Sequence, residues 1–313
     1  MNLQILLSAI VPVILVLGLG FAAGKHHSFD ADQTKGFSRL ALQYALPAAL
    51  FLGMAHFDRR LLLQQGSVVI VMLIGYSAFF LLAYVFLRLL RMNKLQAALY
   101  GYAVSSTAVP IYGLTVLVPI YGEAVGTGIV GLAALITNLA QVSIAIFLLQ
   151  SAATKRDSSP SVLATIGRSA MNPLVGSPVL GVTVALLGWR LSPLVSTGLR
   201  PLAVAAAGVA IFASGLTLAA YPMKLTSRAV ILGTLVCVVL KPSLFFIMMK
   251  GAHLTGTMVN GTLVASAMPT STLSVLLAQQ YGAYEAEMAA MMLLTTVGML
   301  VLVPASMALC AFL

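Results

Sequence analysis

The sequence predicts an all-α membrane protein of ten transmembrane helices, built as two inverted five-helix repeats in which helices 4 and 9 are broken. Of its 313 residues, 60% are hydrophobic and only 8% are charged, with a mean hydropathy of +1.04. A soluble domain of this length cannot bury so much apolar surface, because folding leaves a large water-facing area. Apolar segments of about 20 residues recur along the chain, which is the length that crosses a hydrocarbon core of ~30 Å.

Ten segments are apolar and long enough to cross a bilayer. The first segment is too long for the core of a cleaved signal peptide and lacks a small-residue cleavage pattern, so we expect it to stay as a span. The predicted spans are residues 3–23, 37–56, 66–90, 95–120, 123–152, 163–188, 199–221, 227–249, 256–280 and 284–312. No soluble domain of any size is expected between them.

Basic residues are distributed unequally between the connections. With the N-terminus outside, the inner connections hold Lys25, Lys35, Arg39, Arg88, Arg91, Lys94, Lys155, Arg156, Arg168, Lys224 and Arg228, and the outer ones Arg59, Arg60, Arg190, Arg200 and Lys250. The positive-inside rule therefore predicts a multi-pass protein of the cell (inner) membrane with both termini on the non-cytoplasmic side. Because the basic residues punctuate apolar segments, the net charge of +10 indicates a lipid bilayer and not nucleic acid as the partner.

The two halves of the chain correspond at a nearly constant offset. Pro12 pairs with Pro173 and Gly20 with Gly181 at 161 residues, Pro110 with Pro269 at 159, and Tyr121-Gly122 with Tyr281-Gly282 at 160. Each half holds five spans, an odd number, so the second half enters the membrane from the opposite side, as in many secondary transporters. The predicted organisation is a first repeat over residues 1–152, a short cytoplasmic linker over 153–162 and a second repeat over 163–313.

Pro110 and Pro269 lie near the middle of the fourth and ninth spans. Proline lacks a backbone donor and clashes with the preceding turn, so each span is predicted to be broken. Broken helices at membrane depth persist where they line a cavity, and a matching pair in two halves predicts a transporter's binding site. If each proline opens a second half-helix, two helix N-termini converge and attract an anion.

Polar side chains around these breaks are the candidate substrate ligands. With the two prolines, the candidates are Ser105, Ser106, Thr107, Pro110, Tyr112, Pro269, Thr270, Ser271 and Thr272 in the broken spans, Asn138 and Gln141 in the fifth, and Gln43 and Tyr44 in the second. The alternative for the hydroxyl and amide groups is hydrogen bonding between helices and to freed backbone carbonyls.

Lys241 precedes Pro242 in the eighth span and is the basic residue predicted to lie well within the hydrocarbon. A charge at the bilayer centre costs at least ~2.5 kcal/mol, so it requires a partner or a wet cavity. Three roles are compatible with this position: pairing with a substrate carboxylate, replacing a coupling cation, or extending outward along the helix to the interface.

The acidic residues are all predicted to lie in loops or at span ends. They are Asp30, Asp32, Asp58, Glu123, Asp157, Glu285 and Glu287. A cation exchanger normally needs a membrane-embedded carboxylate, although backbone carbonyls at a helix break also suit sodium. The four histidines have no metal-ligand spacing, and no nucleotide-binding loop or nucleophile motif is present. We therefore expect no cofactor, no metal and no enzymatic activity.

Three motifs resemble the auxin efflux carrier family. They are Tyr44-Ala-Leu-Pro47-Ala-Ala-Leu-Phe51, Phe212-Ala-Ser-Gly215-Leu-Thr-Leu, and Met268-Pro269 followed by Leu277-Ala-Gln-Gln-Tyr-Gly282. That family includes bacterial malonate, malate and oxalate-type permeases and the plant PIN auxin carriers. The resemblance implies a fold similar to bile-acid symporters and sodium/proton antiporters, in which the broken helices 4 and 9 cross. It also implies small carboxylates as substrates. Ala108 departs from the polar residue usual in relatives, and the long PIN regulatory loop is absent, so auxin is not the expected substrate.

The expected function is secondary transport of small mono- or dicarboxylates, malonate-like, by alternating access around a crossover site at the bilayer midplane. One alternative is a sodium-coupled bile-acid-type symporter or a cation/proton antiporter. Another is a non-transporting membrane sensor or scaffold with a degenerate site, an interpretation that only Ala108 favours. Coupling to a proton or sodium ion, and a homodimer, are both compatible with the sequence.

Overall fold

The computed structural model describes residues 3–56, 59, 65–153, 173–221 and 225–313, and within them the chain forms helices and no strands. We number the α-helices α1 Leu3–Lys25, α2 Ala31–Leu40, α3 Leu46–Ala55, α4 Gly66–Leu89, α5 Lys94–Ser105, α6 Val109–Tyr121, α7 Glu123–Ile136, α8 Ser143–Ala153, α9 Pro173–Leu187, α10 Pro193–Ala220, α11 Arg228–Leu235, α12 Lys241–Gly251, α13 Thr257–Ser266, α14 Thr272–Gln280 and α15 Glu285–Leu309. A short 3₁₀ turn, Cys310–Phe312, follows α15.

Seven helical stretches of the described chain are long and apolar enough to cross a membrane. They are Asp32–Ala55, Gly66–Leu89, Lys94–Tyr121, Glu123–Ala152, Pro193–Ala220, Arg228–Gly251 and Glu285–Phe312. Val11–Lys25 and Pro173–Leu187 are shorter apolar helices, and α13 with α14 occupies the ninth predicted span. The predicted linker beyond Ala153, and the start of the sixth span up to residue 172, lie outside the described residues.

The fourth and ninth predicted spans are interrupted where the prolines indicate. The helix α5 ends at Ser105 and α6 begins at Val109, so Pro110 lies in the first turn of the second half-helix, as expected. The prediction that Pro269 opens the other half-helix is wrong, because α14 begins three residues later. The hydroxyl of Ser271 caps α14 by accepting a hydrogen bond from the Leu273 N–H, which leaves Pro269 in the non-helical stretch.

Three π-helical turns interrupt the helices around these breaks: Ala41–Ala45, Thr137–Val142 and Val236–Leu240. The first lies directly before Leu46-Pro47 and the third directly before Lys241-Pro242. Proline cannot donate a hydrogen bond to the carbonyl four residues earlier, and its ring clashes with that carbonyl. The wider π-helical turn relieves this clash. Such turns are frequent at functional sites. The turns contain Gln43, Tyr44, Asn138 and Gln141, four of the residues that the sequence singles out.

Two close helix contacts repeat at one spacing. Gly20 of α1 lies so near α10 that an added Cβ would meet the carbonyl oxygen of Phe212. Gly181 of α9 likewise lies close to α3, where an added Cβ would be 2.7 Å from the carbonyl oxygen of Phe51. The two glycines are 161 positions apart, and so are the two phenylalanines. The contact between α1 and α10 therefore has an equivalent between α9 and α3.

Candidate functional site

The two helix breaks contact each other through their backbones. The Ala108 N–H donates to the carbonyl oxygen of Pro269 at 2.8 Å. The Ser271 N–H donates to the hydroxyl oxygen of Ser106 at 3.1 Å. All four residues lie in or beside the non-helical stretches, so groups that each helix leaves unpaired at its break are satisfied by the other helix.

Threonine hydroxyls add a second set of bonds between the broken helices. Thr270 Oγ1 donates to the Ala103 carbonyl at 3.0 Å. Thr107 Oγ1 lies 3.3 Å from the Ala265 carbonyl, to which it donates. Each threonine thus reaches the last turn of the opposite first half-helix, where carbonyl groups lack intrahelical partners. These contacts fix the relative position of the breaks.

Lys241 lies behind this crossing and bridges both breaks. Its Nζ donates to the Ser106 carbonyl at 2.8 Å and to the Met268 carbonyl at 3.0 Å. Its side chain is 0% exposed, which contradicts the alternative that it extends outward to the interface. Among the described residues the ion pair present is Lys35 with Asp32, so the Lys241 ammonium is paired with backbone carbonyls and not with a carboxylate.

A cavity of about 370 Å³ opens beside the crossing. Its polar wall consists of Gln43, Tyr102, Thr107, Thr137, Asn138, Ser271 and Thr272. Its remaining wall consists of Leu42, Ala108, Pro110, Ile111, Val142, Pro173, Leu174 and Leu273. Among the described residues the lining contains hydroxyl and amide groups but no acidic or basic side chain, so the charge that these residues give it comes from the surrounding helices.

Six of the predicted site residues line the cavity: Gln43, Thr107, Pro110, Asn138, Ser271 and Thr272. The Asn138 amide nitrogen donates to the Ala134 carbonyl at 2.8 Å, which orients its amide at the π-helical turn. The hydroxyl of Thr272 lies 3.2 Å from that of Ser214. The second, fourth, fifth and ninth spans thus each place a predicted polar group at this cavity.

The other eight predicted residues do not line the cavity: Tyr44, Ser105, Ser106, Tyr112, Gln141, Lys241, Pro269 and Thr270. Gln141 Nε2 donates to the Ser105 hydroxyl at 3.1 Å and to the Tyr76 carbonyl at 3.2 Å, so it joins neighbouring helices. The Gln141 Oε1 and the Tyr112 hydroxyl are buried without a hydrogen-bond partner in the described structure. Tyr44 is 57% exposed.

The cavity also has lining residues that the sequence reasoning did not select. Tyr102 is one helical turn before Ser105 and Ser106, and Thr137 is adjacent to Asn138, so helical spacing could have found both. The sequence indicates Pro173 only as the residue that corresponds to Pro12 in the second repeat. The apolar wall carries no sequence signal that separates it from the rest of an apolar chain.

Two half-helices begin at the edge of the cavity. Pro110 and Ile111 belong to the first turn of α6, and Ser271 and Thr272 to the start of α14. The N-terminus of a helix carries a partial positive charge of about half an elementary charge and points N–H groups outward. Together with the hydroxyl and amide groups, these two termini form a small polar chamber suited to an anion.

The helices and this chamber define the class of protein: a multi-span membrane protein with a solute-sized cavity at a pair of broken helices. The family model described as "Membrane transport protein" matches residues 5–307, nearly the whole chain. The chain therefore belongs to this family of membrane transporters, the auxin efflux carrier family, as the sequence motifs indicate.

Curated relatives agree with this assignment. The chain is 27% identical over 297 residues to "Uncharacterized transporter YfdV" of Escherichia coli (strain K12), and to the protein of the same name in Shigella flexneri, with 94% of each chain covered. It is 24% identical over 289 residues to "Putative malonate transporter" of Rhizobium meliloti (strain 1021), covering 92% of this chain and 90% of that one. The protein is a membrane transporter.

Proposed function

We propose that this transporter is a secondary carrier of small organic anions, with malonate-like dicarboxylates as its substrates. The observation that carries the proposal is the cavity between the N-termini of α6 and α14, whose described lining residues have hydroxyl and amide groups but no acidic side chain. A carboxylate accepts hydrogen bonds from such groups, and the helix termini favour its negative charge. The similarity to a protein named as a malonate transporter supports the choice of substrate class.

The size and charge of the cavity favour a small anion over the alternatives. A volume of about 370 Å³ is at the small end of ligand sites and is ample for a short dicarboxylate. A cation/proton antiporter would need a carboxylate facing the substrate path, and none is present among the lining residues that the structure describes. The Lys241 ammonium donates to the carbonyl of Ser106, which precedes the lining residue Thr107, and adds positive potential from behind the cavity.

Repeated packing supports the inverted-repeat architecture, which is common among transporters that work by alternating access. The contact of Gly20 with Phe212 and that of Gly181 with Phe51 are related by one offset of 161 positions. We propose ten spans, with residues 1–152 and 163–313 as the two repeats around crossed helices. In this scheme both termini lie outside the cytoplasm, which follows from the unequal distribution of basic residues. Substrate would bind at the crossing and be exposed to each side in turn.

Counterflow in proteoliposomes tests this proposal. Purified protein is reconstituted with unlabelled malonate inside, and uptake of labelled malonate is compared with that of protein-free vesicles. We expect transient accumulation that is competed by malonate, malate and oxalate but not by an uncharged diamide of malonate. No exchange with any mono- or dicarboxylate across a broad panel would defeat the carrier proposal and favour a sensor or scaffold.

A further inference from the structure

In the proposed repeat, the residues that line the cavity have counterparts on the opposite face of the crossing. A shift of 161 positions relates four lining residues to apolar ones: Tyr102 to Leu263, Asn138 to Met299, Val142 to Val303 and Leu174 to Val13. All four counterparts are 0% exposed. In this structure the opposite face is therefore closed by packed apolar side chains, whereas the face with the cavity is open.

Tyr112 places a polar group on this closed face. The same shift relates it to Leu273, which lines the open cavity. Tyr112 is 0% exposed, and its hydroxyl is buried without a hydrogen-bond partner among the described residues. A buried hydroxyl that lacks a partner is destabilising, and the apolar Leu273 serves at the corresponding position. The packing of the closed face therefore does not account for the Tyr112 hydroxyl.

Hydroxyl groups of two other helices face that of Tyr112. They belong to Ser214 of α10 and Thr296 of α15, and neither bonds to it. Each instead donates to the carbonyl four residues earlier in its own helix, at 2.9 Å and 2.7 Å. The Thr272 hydroxyl lies 3.2 Å from that of Ser214, and Thr272 also lines the cavity. The Tyr112 proton is thus uncommitted, and Thr272 links these hydroxyls to the open cavity.

We propose that Tyr112, Ser214, Thr272 and Thr296 form a second anion subsite, which opens at the opposite face when the carrier changes state and there receives a carboxylate of the substrate. The proposal deepens the proposed function and rests on it for the substrate class. A carboxylate oxygen accepts the free Tyr112 O–H, and the first turn of α6 supplies positive potential beside it. Thr272 contacts the substrate in both states and Tyr112 in one.

The variant Tyr112→Phe tests this subsite, because it removes the hydroxyl and keeps the ring. Tyr76→Phe is the matched control, since the Tyr76 hydroxyl is also buried without a partner in the described structure. The Tyr76 ring packs against Phe245, and neither Tyr76 nor its counterpart Cys237 lines the cavity. In detergent without substrate, we expect the apparent Tm of both variants to stay within about 3 °C of wild type or to rise.

Equilibrium binding and counterflow of radiolabelled malonate should then separate. Tyr112 does not line the open cavity, so we expect Tyr112→Phe to bind malonate in detergent within about twofold of the wild-type affinity. Its counterflow rate in proteoliposomes should fall about tenfold or more, because a hydrogen bond to a charged group is lost at the opposite face. Ser214→Ala, a second variant of the same subsite, should show the same separation. Tyr76→Phe should match wild type in both measurements.

Three results would overturn the proposal. Wild-type counterflow in both Tyr112→Phe and Ser214→Ala would leave the subsite without a role. Malonate binding weakened as much as counterflow in Tyr112→Phe would place its hydroxyl at the open face. A Tm more than about 3 °C below wild type in Tyr112→Phe, but not in Tyr76→Phe, would assign the hydroxyl to folding. Wild-type protein that neither binds nor exchanges any carboxylate would instead defeat the proposed function, and this subsite with it.

Discussion

The N–H of Ala108 donates to the carbonyl oxygen of Pro269 at 2.8 Å, and these residues are 161 positions apart. The same offset relates Gly20 to Gly181 and Phe51 to Phe212. At the offset of 161 the bond joins corresponding positions of the proposed repeat, and the two helix-breaking prolines, Pro110 and Pro269, deviate from that offset by two residues. The bond also gives Ala108 a role that needs no polar side chain, since only its backbone is used at the crossing.

Replacing Ser271 by Ala should weaken substrate binding beyond its effect on stability. Its hydroxyl caps α14, and the residue lines the cavity. Loss of a helix cap costs about 1 kcal/mol, and here it leaves the Leu273 N–H without its side-chain acceptor. Asn93→Ala is the matched control, because Asn93 caps α5 through the Gln96 N–H and does not line the cavity.

We expect both cap variants to lower the apparent Tm by a similar amount, and Ser271→Ala alone to raise the malonate concentration for half-maximal counterflow about threefold or more. Parallel measurement of Tm and counterflow separates the two effects. The same half-maximal concentration in both variants would assign Ser271 to helix capping alone.

Asn138→Asp should reduce anion binding through charge. The Asn138 side chain lines the cavity and is 8% exposed. A carboxylate at this position would repel a bound dicarboxylate. Like charges a few ångströms apart near a protein surface repel by several kcal/mol before screening by salt. We therefore expect the affinity for malonate to fall at least roughly tenfold. The affinity is measured from the concentration of unlabelled malonate that halves counterflow at pH 8. Asn93→Asp, which keeps an equally good cap, is the control.

An unchanged malonate affinity in Asn138→Asp would place this residue outside the substrate path. Gln141→Leu offers a contrast within the same π-helical turn. Because Gln141 bonds Ser105 and Tyr76 and does not line the cavity, that variant should lower the Tm without a specific change in affinity.

The helical fold was predictable because bilayer solvation imposes a length and composition on each span. The two breaks were also predictable, since proline marks them in an apolar background. The start of α14 was misplaced because the serine cap Ser271, two residues after Pro269, outweighs the tendency of proline to open a helix. Local preferences of this kind compete, and tertiary contacts such as Ala108 with Pro269 decide between them.

The site was only partly predictable for a different reason. Asn138 and Gln141 lie in one π-helical turn, yet only Asn138 faces the cavity, and the register of that turn determines which. The pairing of Lys241 with two carbonyls depends on backbone groups that no residue type reveals. Sequence patterns identify polar side chains in a span, but they do not identify the carbonyls freed by a break.

Pro269→Ala and Pro110→Ala should have unequal effects. Proline keeps the preceding residue, Met268, out of the α-helical region, so alanine would let α13 extend into the break. That change would move the carbonyl groups that Lys241 and Ala108 use. Pro110 lies in the first turn of α6, where its missing N–H would be unpaired anyway, so alanine fits the same backbone.

Initial counterflow rates, normalised to the reconstituted protein, measure this difference. We expect a loss of about tenfold or more for Pro269→Ala and a change within about threefold for Pro110→Ala. Equal rates in the two variants, whether both normal or both impaired, would contradict the unequal roles that the helix boundaries assign to these prolines.

Gly20→Ala should destabilise the protein, and Gly18→Ala should not. A Cβ at position 20 would meet the Phe212 carbonyl of α10, whereas nothing lies within 4 Å of a Cβ at position 18. Overpacking of this kind costs about 1–3 kcal/mol, so α1 and α10 must separate. Alanine at an open helical position instead gains up to about 1 kcal/mol over glycine. Gly181→Ala should behave like Gly20→Ala, because its Cβ would lie 2.7 Å from the Phe51 carbonyl.

Thermal unfolding followed with a thiol-reactive dye measures these differences, since Cys237 is buried until the helices separate. We expect the apparent Tm to fall by about 3–10 °C in Gly20→Ala and in Gly181→Ala and to stay level or rise in Gly18→Ala. The residue 161 positions after Gly18 is Val179, which is 41% exposed, so a side chain is already accommodated at the corresponding place in the second half. A loss of stability in Gly18→Ala, or a loss confined to one of the two buried glycines, would show that the halves do not pack equivalently.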